Sequence, residues 1–279
     1  MPPSLGSPWR GSGSASANGP TGWRAPHRGA PKSCCKAEPI AQRPSPPAPE
    51  HSPPMEVRPR QLIVIGDSGV YGWGDREGGG WCERLRRDWM QSPLAPVLYP
   101  LGVRGDGLEK VAERWQREWG CRGELRRQRP QGVLLAVGLN DTARVGRVDG
   151  RPQLSLEAYR FGCEQLLRAI TQRSQAMVLG LSAVDEAVMP FAGCLWYVND
   201  AVAAYEAALE EACLEVDVPF LSVHAAMRDE PTWLRWLEPD GIHLNAEGHH
   251  WLHQRVMHWP ALQRWAGFEP LHQRTPLAL

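Results

Sequence analysis

Four short segments carry the residue types that acyl-transfer chemistry needs. Gly66-Asp67-Ser68-Gly69 follows the apolar run Gln61 to Ile65. A turn of small residues there would lift the Ser68 hydroxyl clear of the backbone and leave nearby N–H groups unpaired, as a nucleophile requires. Gly102 to Gly107 follows a second apolar run, and its glycines would let a backbone N–H approach an oxyanion with no Cβ in the way. Gly138-Leu139-Asn140-Asp141 follows a third, and the Asn140 amide can donate to a developing negative charge. Asp240-Gly241-Ile242-His243 lies near the chain end, where a carboxylate three residues before an imidazole can hold the ring so that its other nitrogen accepts a proton. Each segment alone has an ordinary structural reading. Ser68 would be a helix N-cap, Gly102 to Gly107 a plain turn, Asn140 or Asp141 an Asx turn or cap, and Asp240 and His243 surface neighbours.

The elements that would position these segments follow from hydrophobic periodicity. Fully apolar strands are expected at 61–65, 97–101, 132–137, 176–181 and 220–223. Helices with one apolar face are expected at 81–90, 108–127, 156–173, 196–216 and 246–259. Apolar strands alternating with amphipathic helices predict a three-layer α/β/α sandwich around a parallel sheet, because each crossover must bury its own apolar stripe. In such folds ligands bind beyond the carboxyl ends of the strands, which is where the first three segments fall.

Taken together, Gly66-Asp67-Ser68, Gly102 to Gly105, Gly138-x-Asn140-Asp141 and Asp240-x-x-His243 resemble the four signature blocks of SGNH/GDSL esterases and lipases, in the family's order and approximate spacing. The resemblance spans about residues 60 to 260. It implies a flavodoxin-like five-stranded sheet of order 2-1-3-4-5. It implies Ser68 as nucleophile, His243 as the base and later the acid, and Asp240 as the group that orients the imidazole. The Ser68 N–H, the Gly105 N–H and the Asn140 side chain would form the oxyanion hole. No metal or organic cofactor is implied, and the partner is a small-molecule substrate that the resemblance leaves open among a simple ester, a lysophospholipid, an acyl thioester and an acetylated sugar. Two positions depart from the pattern: Gly69 replaces a frequent Leu, and Pro100 stands where the second block usually begins with Asn. An acyltransferase using the same acyl-enzyme and a catalytically silent binding module remain the alternatives.

The rest of the chain sets boundaries. Residues 1–58 hold half of the 26 prolines and little periodic apolar character, so a disordered extension is expected there, followed by one domain over 59–268 and a tail over 269–279. The formal net charge of zero gives no indication of a nucleic-acid partner, and no run of about 18 apolar residues suggests stable membrane insertion. Seven cysteines without framework spacing suit free thiols in a cytoplasmic protein. His249 and His253, four apart on the last helix, read as helix residues rather than metal ligands. His224 reads as a hydrogen-bonded structural histidine. Most of the thirteen tryptophans read as packing residues. Trp73 differs because it follows the serine so closely. With Gly78 to Gly80 it is expected to form an aromatic rim, and it and Asp67 are expected to touch substrate. Residues 182–191 are expected to supply another wall.

Overall fold

The computed structural model describes residues 59–123 and 128–268. The expected extension, residues 1–58, and the tail, residues 269–279, lie outside the described residues. Five strands form one parallel sheet: β1 (Gln61–Gly66), β2 (Val97–Gly102), β3 (Gly132–Ala136), β5 (Gln175–Leu179) and β7 (Phe220–Leu221), in the order β2-β1-β3-β5-β7. Counted among themselves these strands run 2-1-3-4-5, as the resemblance implied. Two further short strands, β4 (Arg144–Val145) and β6 (Leu195–Trp196), pair antiparallel outside the main sheet. Trp196, expected to open a helix, is therefore in a ribbon, and the helix starts at Asn199.

Alternation along β1 builds two cores. Ile63 and Ile65 point to the layer of α3 (Leu108–Cys121), α5 (Leu156–Thr171) and α6 (Asn199–Val216), joining Val111, Trp115, Tyr159 and Leu209. Leu62 and Val64 point the other way, to α2 (Trp81–Trp89), α8 (Ala246–Met257) and α9 (Pro260–Ala266), joining Trp81, Leu85, Val256 and Trp265. Each fully buried aliphatic side chain of this kind contributes roughly 1.5–3 kcal/mol by leaving water. The expected last helix, 246–259, ends at Met257, and α9, which was not expected, follows it with Pro260 at its first position. The expected α3 stops at Cys121, and residues 124–127 lie outside the described ones. Short helices α1 (Ser68–Tyr71), α4 (Leu139–Thr142) and α7 (His224–Arg228) sit directly at or just beyond strand ends. Among the described residues, Cys82, Cys121, Cys163, Cys194 and Cys213 are free thiols, and no helix is long and apolar enough to cross a membrane.

One buried carboxylate ties the carboxyl ends of β5 and β7 to α6. Glu206 accepts hydrogen bonds from the N–H groups of Leu181, Val223 and His224 and from the Ser222 hydroxyl. Removing it would orphan several buried donors, each costing about 1–3 kcal/mol. Glu206→Ala is therefore expected to lower unfolding free energy by at least about 3 kcal/mol, read as a lower urea midpoint.

Candidate active site

The site assembles where β1, β2 and β3 end. β1 lies between the other two, with Gly66 opposite both Gly102 and Ala136. Gly66 has to be glycine, because a Cβ there would lie 1.9 Å from the Ala136 carbonyl oxygen. Two residues on, Ser68 opens α1. The N-cap is Asp67, whose Oδ1 accepts from the Gly69 N–H at 2.8 Å. Ser68 is thus the first helical residue, not the cap, and its Oγ is left free for another partner.

That partner is His243. Its Nε2 lies 3.0 Å from Ser68 Oγ, and its Nδ1 lies 2.7 Å from Asp240 Oδ2. Asp240 Oδ1 also accepts from the N–H groups of Ile242 and His243, closing a tight turn. Burial pushes the Asp240 carboxyl up, but the hydrogen bonds from His243 and Ile242 outweigh it and hold the group below the ordinary carboxylate range. An ionised Asp240 fixes the proton on Nδ1 and leaves Nε2 to accept the serine proton. The three residues form an unbroken hydrogen-bonded chain from hydroxyl to carboxylate.

Beside the serine stand the donors expected for an oxyanion. Neither the Ser68 N–H nor the Gly105 N–H donates a hydrogen bond among the described residues. Gly105 adopts a left-handed φ of 81°. It does not itself line the cavity around Ser68, but the adjoining Asp106 carbonyl accepts from Asn140 Nδ2 at 2.9 Å, which ties its loop to the third segment. The same Nδ2 lies 3.4 Å from Asp67 Oδ2, and the Tyr197 hydroxyl lies 3.4 Å from Asn140 Oδ1. Burial raises Asp67 to about 6 and Asp141, whose oxygens accept from the Leu108 N–H, to about 7.

The cavity over Ser68 has a volume of about 70 Å³. Its apolar lining includes Trp81, Leu179, Leu181, Val223, Ile242 and Leu252, and Asp67, Trp73 and Ser182 also border it. Trp73 and Phe191 flank the imidazole edge-on, with ring centroids 6.1 and 6.0 Å from that of His243. Of residues 182–191, Ser182 borders the cavity and Phe191 flanks the imidazole, while His224 turns away to Asn199 Oδ1 at 3.2 Å. Among the described residues no group of His, Cys, Asp and Glu could hold a metal ion.

Two residues hold the aromatic rim in place: Asp75, which sequence reasoning passed over, and His249, which it read as an ordinary helix residue. Asp75 accepts from the N–H groups of Gly78 and Gly80 and from Arg84, and is lowered to about 2 because those bonds overcome the effect of burial. His249, fully buried, accepts the Trp81 N–H on Nδ1 and reaches the Trp73 carbonyl through Nε2 at 3.0 Å. The loop doubles back so closely that a Cβ on Gly72 would lie 1.9 Å from the Gly79 carbonyl oxygen. The run Gly78-Gly79-Gly80 after Asp75 was the available signal for such a loop. Nothing local marked His249, whose partners lie on another element.

A profile of the GDSL-like lipase/acylhydrolase family matches residues 64–251. The chain belongs to this family and is a hydrolase acting on ester bonds. Among solved structures it is similar to a lipase/acylhydrolase from Enterococcus faecalis, with 18% identity, a TM-score of 0.57, and coverage of 71% of this chain and 93% of that one. A member of the lipolytic G-D-S-L family from Veillonella parvula gives 12% identity, a TM-score of 0.55, and coverage of 72% and 98%. The psychrotrophic esterase EstA from Pseudoalteromonas sp. gives 12%, 0.52, and 75% and 99%. Curated protein sequences return no match.

The bond pattern of His249 requires a neutral ring, and burial lowers its pKa from 6.5. The unfolded chain therefore binds more protons there, so this share of stability is present above pH 6.5 and is lost as pH falls below that value. The raised Asp67 and Asp141 work in the opposite direction, their share being lost as pH rises through about 6 to 7. A variant comparison separates the two. His249→Ala is expected to lose about 1–3 kcal/mol at pH 7.5 through the orphaned Trp81 N–H, with a smaller penalty at pH 5. Urea titrations at both pH values check this.

Proposed function

We propose that the protein hydrolyses esters of short acyl groups through an acyl-serine intermediate. The observation that carries the reading is the continuous chain Ser68 Oγ, His243 Nε2, His243 Nδ1, Asp240 Oδ2, with links of 3.0 and 2.7 Å. Ser68 Oγ attacks the acyl carbon while its proton passes to His243 Nε2, and Asp240 balances the imidazolium that forms. The carbonyl oxygen, now negative, accepts from the unpaired N–H groups of Ser68 and Gly105. Asn140 has two N–H bonds on Nδ2. One is given to the Asp106 carbonyl at 2.9 Å, and the other, in a long 3.4 Å bond to Asp67 Oδ2, turns from that carboxyl to the oxyanion. His243 then protonates the leaving alcohol. Water, deprotonated by the same imidazole, releases the acid and restores Ser68.

The nearby carboxyls fit this sequence of events. A negative charge on Asp67 would oppose the oxyanion, and burial favours its neutral form up to about pH 6. The acyl preference follows from size. A volume of about 70 Å³ is several-fold below that of cavities holding drug-sized ligands and suits an acetyl or propionyl group.

Release of 4-nitrophenol from the acetate and octanoate esters tests both points. The acetate is expected to have the larger kcat/KM by at least about tenfold, since one or two methylenes already alter binding by such factors. Ser68→Ala and His243→Ala are expected to lower kcat by about 10⁴-fold or more, with circular dichroism unchanged. Asn140→Ala is expected to cost about 10²–10³-fold. Labelling of wild-type Ser68 by a fluorophosphonate, and none in the alanine variant, reads the nucleophile directly. A Ser68→Ala enzyme that retained wild-type turnover would overturn the mechanism.

A further inference from the structure

Arg104 has no role in the mechanism above, yet it sits at its edge. It belongs to the loop after β2, immediately before Gly105, and its guanidinium carbon lies 3.4 Å from the centroid of the Trp73 ring. The Trp73 ring is in turn edge-on to His243. Three other arginines around these loops are committed, and Arg76, on the loop after Trp73, is not one of them. Arg114 binds Asp106 and the carbonyls of Gly66 and Leu101, Arg84 binds Asp75, and Arg87 binds the Gly78 carbonyl. Arg104, by contrast, makes neither a hydrogen bond nor an ion pair among the described residues. Stacking on an aromatic face fixes a guanidinium without neutralising it, and leaves its in-plane N–H bonds open to a carboxylate or phosphate.

Direction follows from the chemistry of His243. Its Nε2 must reach the leaving oxygen, so the alcohol half of the ester departs beside the imidazole, between the rings of Trp73 and Phe191 that flank it. The acyl half enters the small cavity, whose lining includes no lysine or arginine. We infer that Arg104, laid on Trp73 at the rim of the Ser68 cavity, binds an anionic group, a carboxylate or phosphate, carried by the alcohol half of the substrate. This rests on the hydrolase reading above and deepens it: the substrate class is short-chain acyl esters of anionic alcohols. Trp73 is the positioning residue that holds the cation where the leaving group passes.

The test compares 3-acetoxybenzoate and 3-acetoxyphenyl phosphate with the neutral, similarly shaped 3-acetoxybenzamide. The wild type is expected to favour the anionic esters in kcat/KM by about ten- to a hundredfold, the range for one charged hydrogen-bonded contact. That ratio should shrink with added salt. R104Q should bring it close to one, R104K should retain part of it as a point charge without the planar fork, and Trp73→Leu should reduce it by releasing the guanidinium. The relative rates of the carboxylate and phosphate esters decide which anion the fork suits better. Cleavage of all three esters with equal efficiency by the wild type, or an undiminished ratio in R104Q, overturns this inference alone. No cleavage of any ester together with no fluorophosphonate adduct on Ser68 overturns the hydrolase reading, and this inference with it.

Discussion

The site depends on the parallel pairing of β1 with β2 on one side and β3 on the other, in a register that brings Gly66, Gly102 and Ala136 level. Three loops then leave the sheet at the same height. Ser68 follows two residues after the first strand end, Gly105 three after the second and Asn140 four after the third. A one-residue slip would reverse the facing of every side chain on a strand and move its loop along the sheet. The two cores prevent this, because Leu62 and Val64 fit only the α2, α8 and α9 side, and Ile63 and Ile65 only the other. Packing on both faces therefore sets the geometry of groups that do not touch the core.

On that frame the site is held mainly by hydrogen bonds reaching between distant parts of the chain. The bond between Ser68 and His243 spans 175 positions and that between His249 and the Trp73 carbonyl 176. Both histidines come from the segment around the start of α8, so one stretch of chain supplies the imidazole bonded to Ser68 and the peg for the aromatic rim. The capping of α8 makes this reliable: Asn245 accepts from the N–H groups of Glu247 and Gly248, starting the helix just after His243.

Charge is distributed unevenly around Ser68. Asp240 is ionised against His243, Asp106 against Arg114, and burial favours the neutral forms of Asp67 and Asp141. Burial thus opposes negative charge on these two carboxyls only at pH values below about 6 to 7. At the rim, the positive charge of Arg104 is supported by an aromatic face and has no hydrogen bond or ion pair among the described residues. Under the proposed mechanism, a small cavity for the acyl group and a cation at the exit would treat the two halves of an ester differently.

Much of this arrangement was legible in the residues themselves. The five apolar runs, their alternation with amphipathic helices, and the four segments around Ser68, Gly105, Asn140 and His243 are local patterns, and periodicity and turn chemistry act over a few residues. The antiparallel ribbon of Arg144–Val145 and Leu195–Trp196 was not legible, since a two-residue strand has no period. The N-cap role moved from Ser68 to Asp67 for a similar reason, a difference of one residue that only the path of the backbone decides. His249, Asp75 and Arg104 were hidden because their significance lies in partners on other elements. An imidazole on a helix, a carboxylate in a glycine-rich loop and an exposed arginine have nothing distinctive in their own neighbourhoods. By itself the sequence determined the class of fold and the chemistry present at the strand ends. The tertiary structure decided which of those groups meet, how small the cavity beside them is, and that Arg104 lies on the Trp73 ring, because these depend on long-range packing and the burial it imposes.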